Sequence, residues 1–414
     1  MIPKKIMERF KVSQRHKVVA WFIVFVIIGM GVNLSVHYSD WVYASEIDNV
    51  VHFGKSKKYN KSGVSVIVLK GEPFDIGYAR GILLKEEIFD WLETTVNENK
   101  KNKPEKYKES IDIVKQFIAP YVPQDFREEL EGLSAALKID YYTLLIANSF
   151  APISHNIECT SIVIKDSGGT LLRSRNLDWI GRISRPAALY FIHPTQGHAF
   201  VSISHCPGFI GIRTAFNEKG LSIGGHNMAG ASAERMPEFL LRRQAVQYAA
   251  SVDEVSVILE KTKLRSPKIW IVSDTKNAKV FEFDQKEIGS YQMEEDHLVV
   301  TNFTKIIITN QSFTSFRDKR ILEAKSFLLN HRGRMDLEKL IEVNRIDSLT
   351  GYKSTNGYNN IHSAIFNPDT LDFWVAVNPP YSTRGKWVGF NLKKELYGLG
   401  NTPKPSIINA MENL

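Results

Sequence analysis

The chain changes texture at residue 159, and that change sets the class of fold. From residue 64 to 150 apolar residues recur mainly at helical spacing. Ile76, Ala79, Ile82, Leu83 and Ile88 mark one stretch, and Ile111, Val114, Phe117 and Ile118 a second. Leu130, Leu133 and Leu137 mark a third, and residues 141–149 a fourth. One strand, 64–69, opens this region, and the Lys-, Asn- and Glu-rich residues 97–109 read as a solvated loop or helix face. Beyond Cys159, short strands come in runs. A hairpin is expected over 160–165 and 170–174, turning at Asp166-Ser167-Gly168-Gly169. Further strands follow at 188–193, 198–204, 210–216 and 221–225, then two helices at 238–249 and 252–261. Strands at 269–273, 278–283 and 297–301, helices at 317–329 and 337–343, and strands at 373–377 and 387–390 complete the pattern. Strand runs and helix pairs are segregated, which predicts an α+β fold with antiparallel sheets covered by helices.

The extreme N-terminus has a different character. Residues 1–17 carry Lys4, Lys5, Arg9, Lys11, Arg15 and Lys17 against Glu8 alone. An apolar run from Val18 to Val32 follows, and no formal charge appears from Val18 to Ser39. Basic residues ahead of such a run orient it with the N-terminus in the cytoplasm. Two readings stay open: a signal anchor over 18–39 with Trp41 and Tyr43 at the outer interface, or a cleaved secretory signal ending near Val42-Tyr43-Ala44. Either places the bulk of the chain outside the cytoplasm, membrane-anchored or secreted. Residues 40–63 are polar and read as a linker, 64–158 as a mostly helical segment and 159–414 as the main domain. The formal net charge is +8, and much of it sits in the first seventeen residues. The remainder is nearly balanced, so no nucleic-acid partner is indicated.

The candidate chemistry gathers at Cys159, one of two cysteines. The hairpin returns Arg175-Asn176-Leu177-Asp178 beside the start of its first strand. Arg175 can then lower the pKa of a thiol, and Asp178 can anchor a free α-amino group. Cys206 lies in the turn-like His205-Cys206-Pro207-Gly208, where no charge partner is expected. A Cys–His protease is the rival, with His155, His205 and His226 nearest in sequence, but none has a papain-like context. No metal site of the His-Glu-x-x-His kind and no phosphate-binding glycine loop is found, Gly224-Gly225 being too short, so no cofactor is expected.

Cys159-Thr160-Ser161-Ile162-Val163 followed by Arg175-Asn176-Leu177-Asp178 resembles the nucleophile segment of the choloylglycine hydrolase and acid ceramidase-like N-terminal-nucleophile hydrolases. The spacings of 16 and 19 residues agree with that family. Asn217 to Ile223 and then Asn227 resemble the stretch ending in an oxyanion-hole Asn. Val299-Val300-Thr301-Asn302 resembles the segment carrying the second active-site Asn. Thr314-Ser315-Phe316-Arg317 resembles the one with the late active-site Arg, with Arg320 as the rival register. Gly71 to Gly77 and Glu129 to Ala136 are similar to the propeptide of isopenicillin N acyltransferase-type autoproteolytic enzymes. Glu158 departs from the resemblance, because a Gly or an apolar residue is common before the nucleophile.

The resemblance implies a four-layer αββα sandwich, with 64–158 as propeptide and 159–414 as catalytic chain. It implies cleavage between Glu158 and Cys159, the pieces staying associated through the propeptide helices. Cys159 would then hydrolyse a linear N-acyl amide with an apolar acyl group through a thioester, or transfer that acyl group. Its own α-amino group, with an ordinary pKa of about 7.7–8, would serve as base. Asn227 and Asn302 would donate to the oxyanion, and Arg317 would support the site. A membrane-anchored binding protein without catalysis is the alternative of another class.

Overall fold

The computed structural model describes residues 47–150, 157–180, 185–227, 236–262, 268–283, 287–307, 315–350, 358–379 and 381–411. The basic tail over 1–17 and the apolar segment over 18–39 lie outside them. Among the described residues no helix is long and apolar enough to cross a membrane.

The described strands form two sheets. The first has ten strands, in spatial order β1 (Ile47–Phe53), β2 (Ser56–Lys61), β3 (Val64–Gly71), β6 (Ala188–Pro194), β7 (Phe200–Ser204), β8 (Thr214–Asn217), β9 (Ser222–Asn227), β10 (Lys268–Ser273), β11 (Ala278–Phe283) and β12 (Ile288–Gln292). The second has seven: β13 (His297–Val300), β4 (Ile157–Lys165), β5 (Leu171–Ile180), β14 (Tyr358–Phe366), β15 (Asp372–Ala376), β16 (Trp387–Asn391) and β17 (Ile407–Ile408). All pairings are antiparallel except β3 with β6, where Val66 to Gly71 run parallel to Leu189 to Pro194.

Alternation along the strands sends one set of side chains between the sheets and the other against helices. Val66, Val68, Phe191, Val201 and Phe216 of the first sheet meet Phe366, Phe373, Val375 and Phe390 of the second. On the outer face of the first sheet, Ile67, Leu69, Ile192 and Trp270 pack against α1 (Pro73–Leu83), α2 (Gln124–Leu137) and α3 (Glu238–Tyr248). On the outer face of the second, Ile162, Ile164, Leu172 and Trp374 pack against α4 (Ser315–Asn330) and α5 (Leu337–Asn344). The layers are therefore helix, sheet, sheet, helix, as the resemblance implies.

Two glycines explain why the propeptide-like motifs occur together. A Cβ on Gly77 of α1 would lie 1.8 Å from the carbonyl oxygen of Glu129, and one on Gly132 of α2 would lie 2.0 Å from that of Phe74. The helices touch backbone to backbone, which no other residue permits there. The buried Glu129 carboxylate then sits between Arg80 of α1, at 3.5 Å, and Arg243 of α3, at 2.7 Å.

The sequence reading needs three corrections. Residues 47–61, within the expected linker over 40–63, form the hairpin β1–β2; Lys and Asn there hid the strand signal, and the edge strand β1 is exposed along its whole length. Strands β12, β14 and β17 go beyond the expected set. The hairpin β4–β5 is longer than its apolar core and runs from Ile157 to Ile180, which draws Glu158 and Cys159 into the sheet.

Candidate active site

In the β4–β5 ladder Glu158 lies opposite Asp178, Cys159 opposite Leu177 and Ser161 opposite Arg175. Paired residues share a face, so Cys159, Ser161 and Arg175 point between the sheets while Glu158, Thr160 and Asp178 face α4. The candidate nucleophile is thereby approached from two layers.

From the inter-sheet side comes Arg175. Its Nη2 lies 3.2 Å from Cys159 Sγ and donates to the Gly225 carbonyl at 2.7 Å. The glycines of β9 make the room. A Cβ on Gly224 would lie 2.6 Å from Arg173 Nη2 and 2.7 Å from Arg175 Nη1, and one on Gly225 would lie 2.5 Å from Arg242 Nη1. The pair is a cradle for guanidiniums rather than a phosphate loop.

From the helical side comes Arg320 of α4. Its Nη1 donates to the Cys159 carbonyl at 3.1 Å and to Thr160 Oγ1 at 3.2 Å. Its Nη2 pairs with Glu158 at 2.9 Å, and its Nη1 lies 3.9 Å from Asp178. Of the two registers considered for the late arginine, Arg320 reaches the backbone of Cys159. The Arg317 side chain lies outside the described residues, as does that of Asn227, whose backbone ends β9 opposite Lys268. Asn302 follows β13, the strand hydrogen-bonded to β4, and its Oδ1 accepts the backbone N–H of Cys159 at 2.9 Å.

Burial controls the titrations. It pushes the Cys159 thiol above its ordinary value; Arg175 and Arg320 oppose this, and Asp178 adds to it. The expected lowering by Arg175 is present but is outweighed in the uncut chain. Asp178 is pushed up to about 7, by burial first and by Glu158 as well, against Arg320, Asn360 and Arg175. Asn360, opposite Asp178 in β14, donates to its Oδ1 at 3.0 Å. Sequence reasoning missed Asn360, because only the strand register shows that it faces Asp178.

A raised carboxyl pKa has a thermodynamic signature. From its ordinary 3.8 to about 7, the folded uncut chain holds the Asp178 proton more tightly than the unfolded chain does. Its contribution to stability is full below the ordinary value and is lost as pH rises through about 7. In a Cys159→Ala background, Asp178→Asn should therefore gain in stability on its parent as pH rises from about 4 to about 7. Thermal melts across that range check it, and a pH-independent difference would refute the shift.

The histidines do other work. His226 Nδ1 faces the Thr301 carbonyl at 2.9 Å, and its Nε2 meets Ser161 Oγ at 2.9 Å. Burial, then Arg175 and Arg173, holds its pKa well below the ordinary value, so the ring is neutral. His205 is engaged with the Arg185 carbonyl and with His362. His155 lies outside the described residues. Both cysteines are free thiols. Cys206 does have charged neighbours, Arg213 and Arg185, contrary to the expectation of none, yet burial raises its pKa overall.

The family model of acyl-coenzyme A:6-aminopenicillanic acid acyl-transferase matches residues 165–381, just over half of the chain. The chain belongs to that family. It falls within the N-terminal-nucleophile hydrolase superfamily, which the segment around Cys159 resembles. Over 255 residues the chain is 27% identical to an uncharacterised protein of Archaeoglobus fulgidus, covering 52% of this chain and 42% of that one. It is 27% identical to protein dcd1A of Dictyostelium discoideum, over 46% of this chain and 51% of the relative. It is 24% identical to acid ceramidase of Bos taurus, over 44% of this chain and 54% of the relative. The chain thus spans about half the length of the curated relatives it matches. Among solved structures, an N-acylethanolamine-hydrolyzing acid amidase ortholog of Caenorhabditis elegans aligns at 19% identity and TM-score 0.40, over 51% of this chain and 93% of that one. A conjugated bile acid hydrolase variant from Clostridium perfringens aligns at 14% and TM-score 0.46, over 62% and 100%.

Proposed function

We propose that the chain cuts itself between Glu158 and Cys159 and then hydrolyses a linear N-acyl amide through a thioester on Cys159. The observation that carries this reading is the convergence on one residue: Arg175 on the thiol, Asn302 on the backbone nitrogen and Arg320 on the carbonyl. Of these contacts, the Arg175 guanidinium at the thiol is the one that depends on a cysteine side chain.

In the uncut chain the nitrogen of Cys159 is an amide and cannot act as a base. Attack of Sγ on the Glu158 carbonyl carbon breaks the C–N bond, and the nitrogen takes a proton and becomes an α-amino group. Water then cleaves the thioester and leaves Glu158 with a new carboxylate. Two changes follow at Asp178. An ammonium arrives beside it, and the Glu158 carboxylate is no longer tethered opposite it. Both favour ionised Asp178, which then anchors the amino group. In turnover the amino group takes the thiol proton, Sγ attacks the amide carbonyl, and the ammonium protonates the leaving amine. Water releases the acyl group as a carboxylate. The side-chain N–H groups of Asn302 and Asn227 would serve the oxyanion.

The acyl part is a large apolar chain in this reading, in keeping with the acid ceramidases among the relatives, and the reaction takes place outside the cytoplasm. The family's own name favours a second outcome, in which an amine rather than water takes the acyl group from Cys159. A panel of N-acyl amides offered to the processed protein, with and without an added amine, tests both. Release of free amine and carboxylate from at least one apolar N-acyl amide is expected. New amide only in the presence of the added amine would assign acyl transfer, and no acyl-group chemistry at all would refute the reading.

A further inference from the structure

Glu282 has no part in the steps above. It lies on β11, in the layer between the sheets with Ala278 and Val280, and is fully buried. A carboxylate in such a layer is costly unless its oxygens accept hydrogen bonds. Its Oε1 accepts the backbone N–H of Lys305 at 2.6 Å, and its Oε2 accepts those of Ile306 at 2.7 Å and Ile307 at 2.9 Å. Three successive N–H groups aimed at one point make an anion-binding turn, and here the protein supplies the anion from its other sheet.

The turn lies next to the chemistry. Residues 301–307 belong to no helix or strand, and Asn302 stands near their start. Such a segment has no ladder to take up its N–H groups, so side chains direct its path. Thr301, Phe303, Thr304 and Lys305 also line a groove of about 570 Å³, together with Ile321 and Leu329 of α4. On the other side, Gly289 stands opposite Glu282 in β12, and a Cβ on it would lie 2.9 Å from Ile306 Cγ2. The turn is thus drawn down onto the edge of the first sheet. Three residues before Lys305, Asn302 reaches the second sheet, where its Oδ1 accepts the Cys159 N–H at 2.9 Å.

We propose that Glu282 is a positioning residue: its grip on the turn at 305–307 sets where the Asn302 side chain stands against Cys159. The contact belongs to the folded chain. Its consequence for self-cleavage and turnover rests on the reading given under the proposed function.

The first test needs no activity. In the uncut Cys159→Ala chain, Asn302 covers the backbone N–H of residue 159, so hydrogen exchange there reports the contact. Glu282→Gln keeps the volume but turns one acceptor oxygen into an NH₂ group that faces donors. Exchange should quicken at least tenfold at residues 305–307 and at residue 159, and stay within twofold at Ile162 and Ile164 of the same strand. The second test uses active chain taken to complete processing. Glu282→Gln should lower kcat for an apolar N-acyl amide at least tenfold with KM within twofold, because an oxyanion donor acts in the transition state. Gly289→Val crowds Ile306 from the facing strand without touching the Glu282 hydrogen bonds, and should move both readings the same way. If Glu282→Gln loosens both sheets together, Gly289→Val decides alone. Faster exchange at 305–307 with residue 159 unchanged would make Glu282 a local anchor and overturn the proposal. Unchanged exchange throughout, or an unchanged kcat in active protein, would overturn it as well. If no amide is cleaved by the wild type, the amidase reading falls, and exchange at residue 159 still decides whether Glu282 positions Asn302.

Discussion

Cys159→Ala should leave one full-length band on a denaturing gel where the wild type gives two, one piece ending at Glu158 and the other starting at Cys159. The same variant should lose amide hydrolysis by on the order of 10³-fold or more, since one thiol serves both reactions. The fold should survive. The Cys159 side chain is small, and its backbone nitrogen keeps the Asn302 contact whatever the side chain. Far-UV dichroism and a cooperative melt would confirm that. Mass spectrometry of the wild-type pieces locates the cut to the residue. Full activity from a chain whose Glu158–Cys159 bond is intact would defeat the N-terminal-nucleophile reading. An internal cysteine would then need another base, and His226, with both nitrogens engaged elsewhere, is poorly placed to supply it.

Glu129→Ala should be the most damaging single change outside the site. The carboxylate is 1% exposed and bonds Arg243 at 2.7 Å while lying 3.5 Å from Arg80. Removing it leaves two buried guanidiniums facing each other. Breaking a buried ion pair from one side costs about 3–5 kcal/mol, which for a chain of this size lowers Tm by about 3–6 °C. Arg80 and Glu129 lie before the proposed cut and Arg243 after it, so the variant should also loosen the association of the two pieces. Size-exclusion chromatography after processing should show wild-type pieces eluting together and the variant's pieces separating at lower denaturant. An unchanged melt and unchanged co-elution would show that the triad stabilises neither the fold nor the association.

The residue pattern carried the fold class and the hairpin that holds Cys159, because both rest on local periodicity and turn chemistry. The αββα layering came from the resemblance. Local pattern could not carry what depends on register. Asn360 is visible as a partner of Asp178 only once β14 is laid against β5. Gly224 and Gly225 look like a loop signal in the sequence, and only packing shows that they open space for Arg173, Arg175 and Arg242. Arg317 and Arg320 are one helical turn apart, so motif spacing left both open; Arg320 contacts Glu158 and Cys159, and the Arg317 side chain lies outside the described residues. Burial was the other blind spot. A cation beside a thiol suggests a lowered pKa, but desolvation in a closed inter-sheet layer acts in the opposite direction and prevails.

The parallel pairing of β3 with β6 means that residues on either side of the proposed cut share one sheet. Before cleavage, the tether holds these strands at a high effective concentration, and folding is a unimolecular event. After cleavage, the same ladder can be rebuilt only by a bimolecular encounter. A processed molecule would then persist only by unfolding slowly, and its recovery from denaturant should depend on protein concentration whereas that of the Cys159→Ala chain should not. Self-cleavage would thus be an irreversible commitment in folding as well as in chemistry, and a catalytic piece produced without residues 47–158 would lack the neighbour that β6 needs.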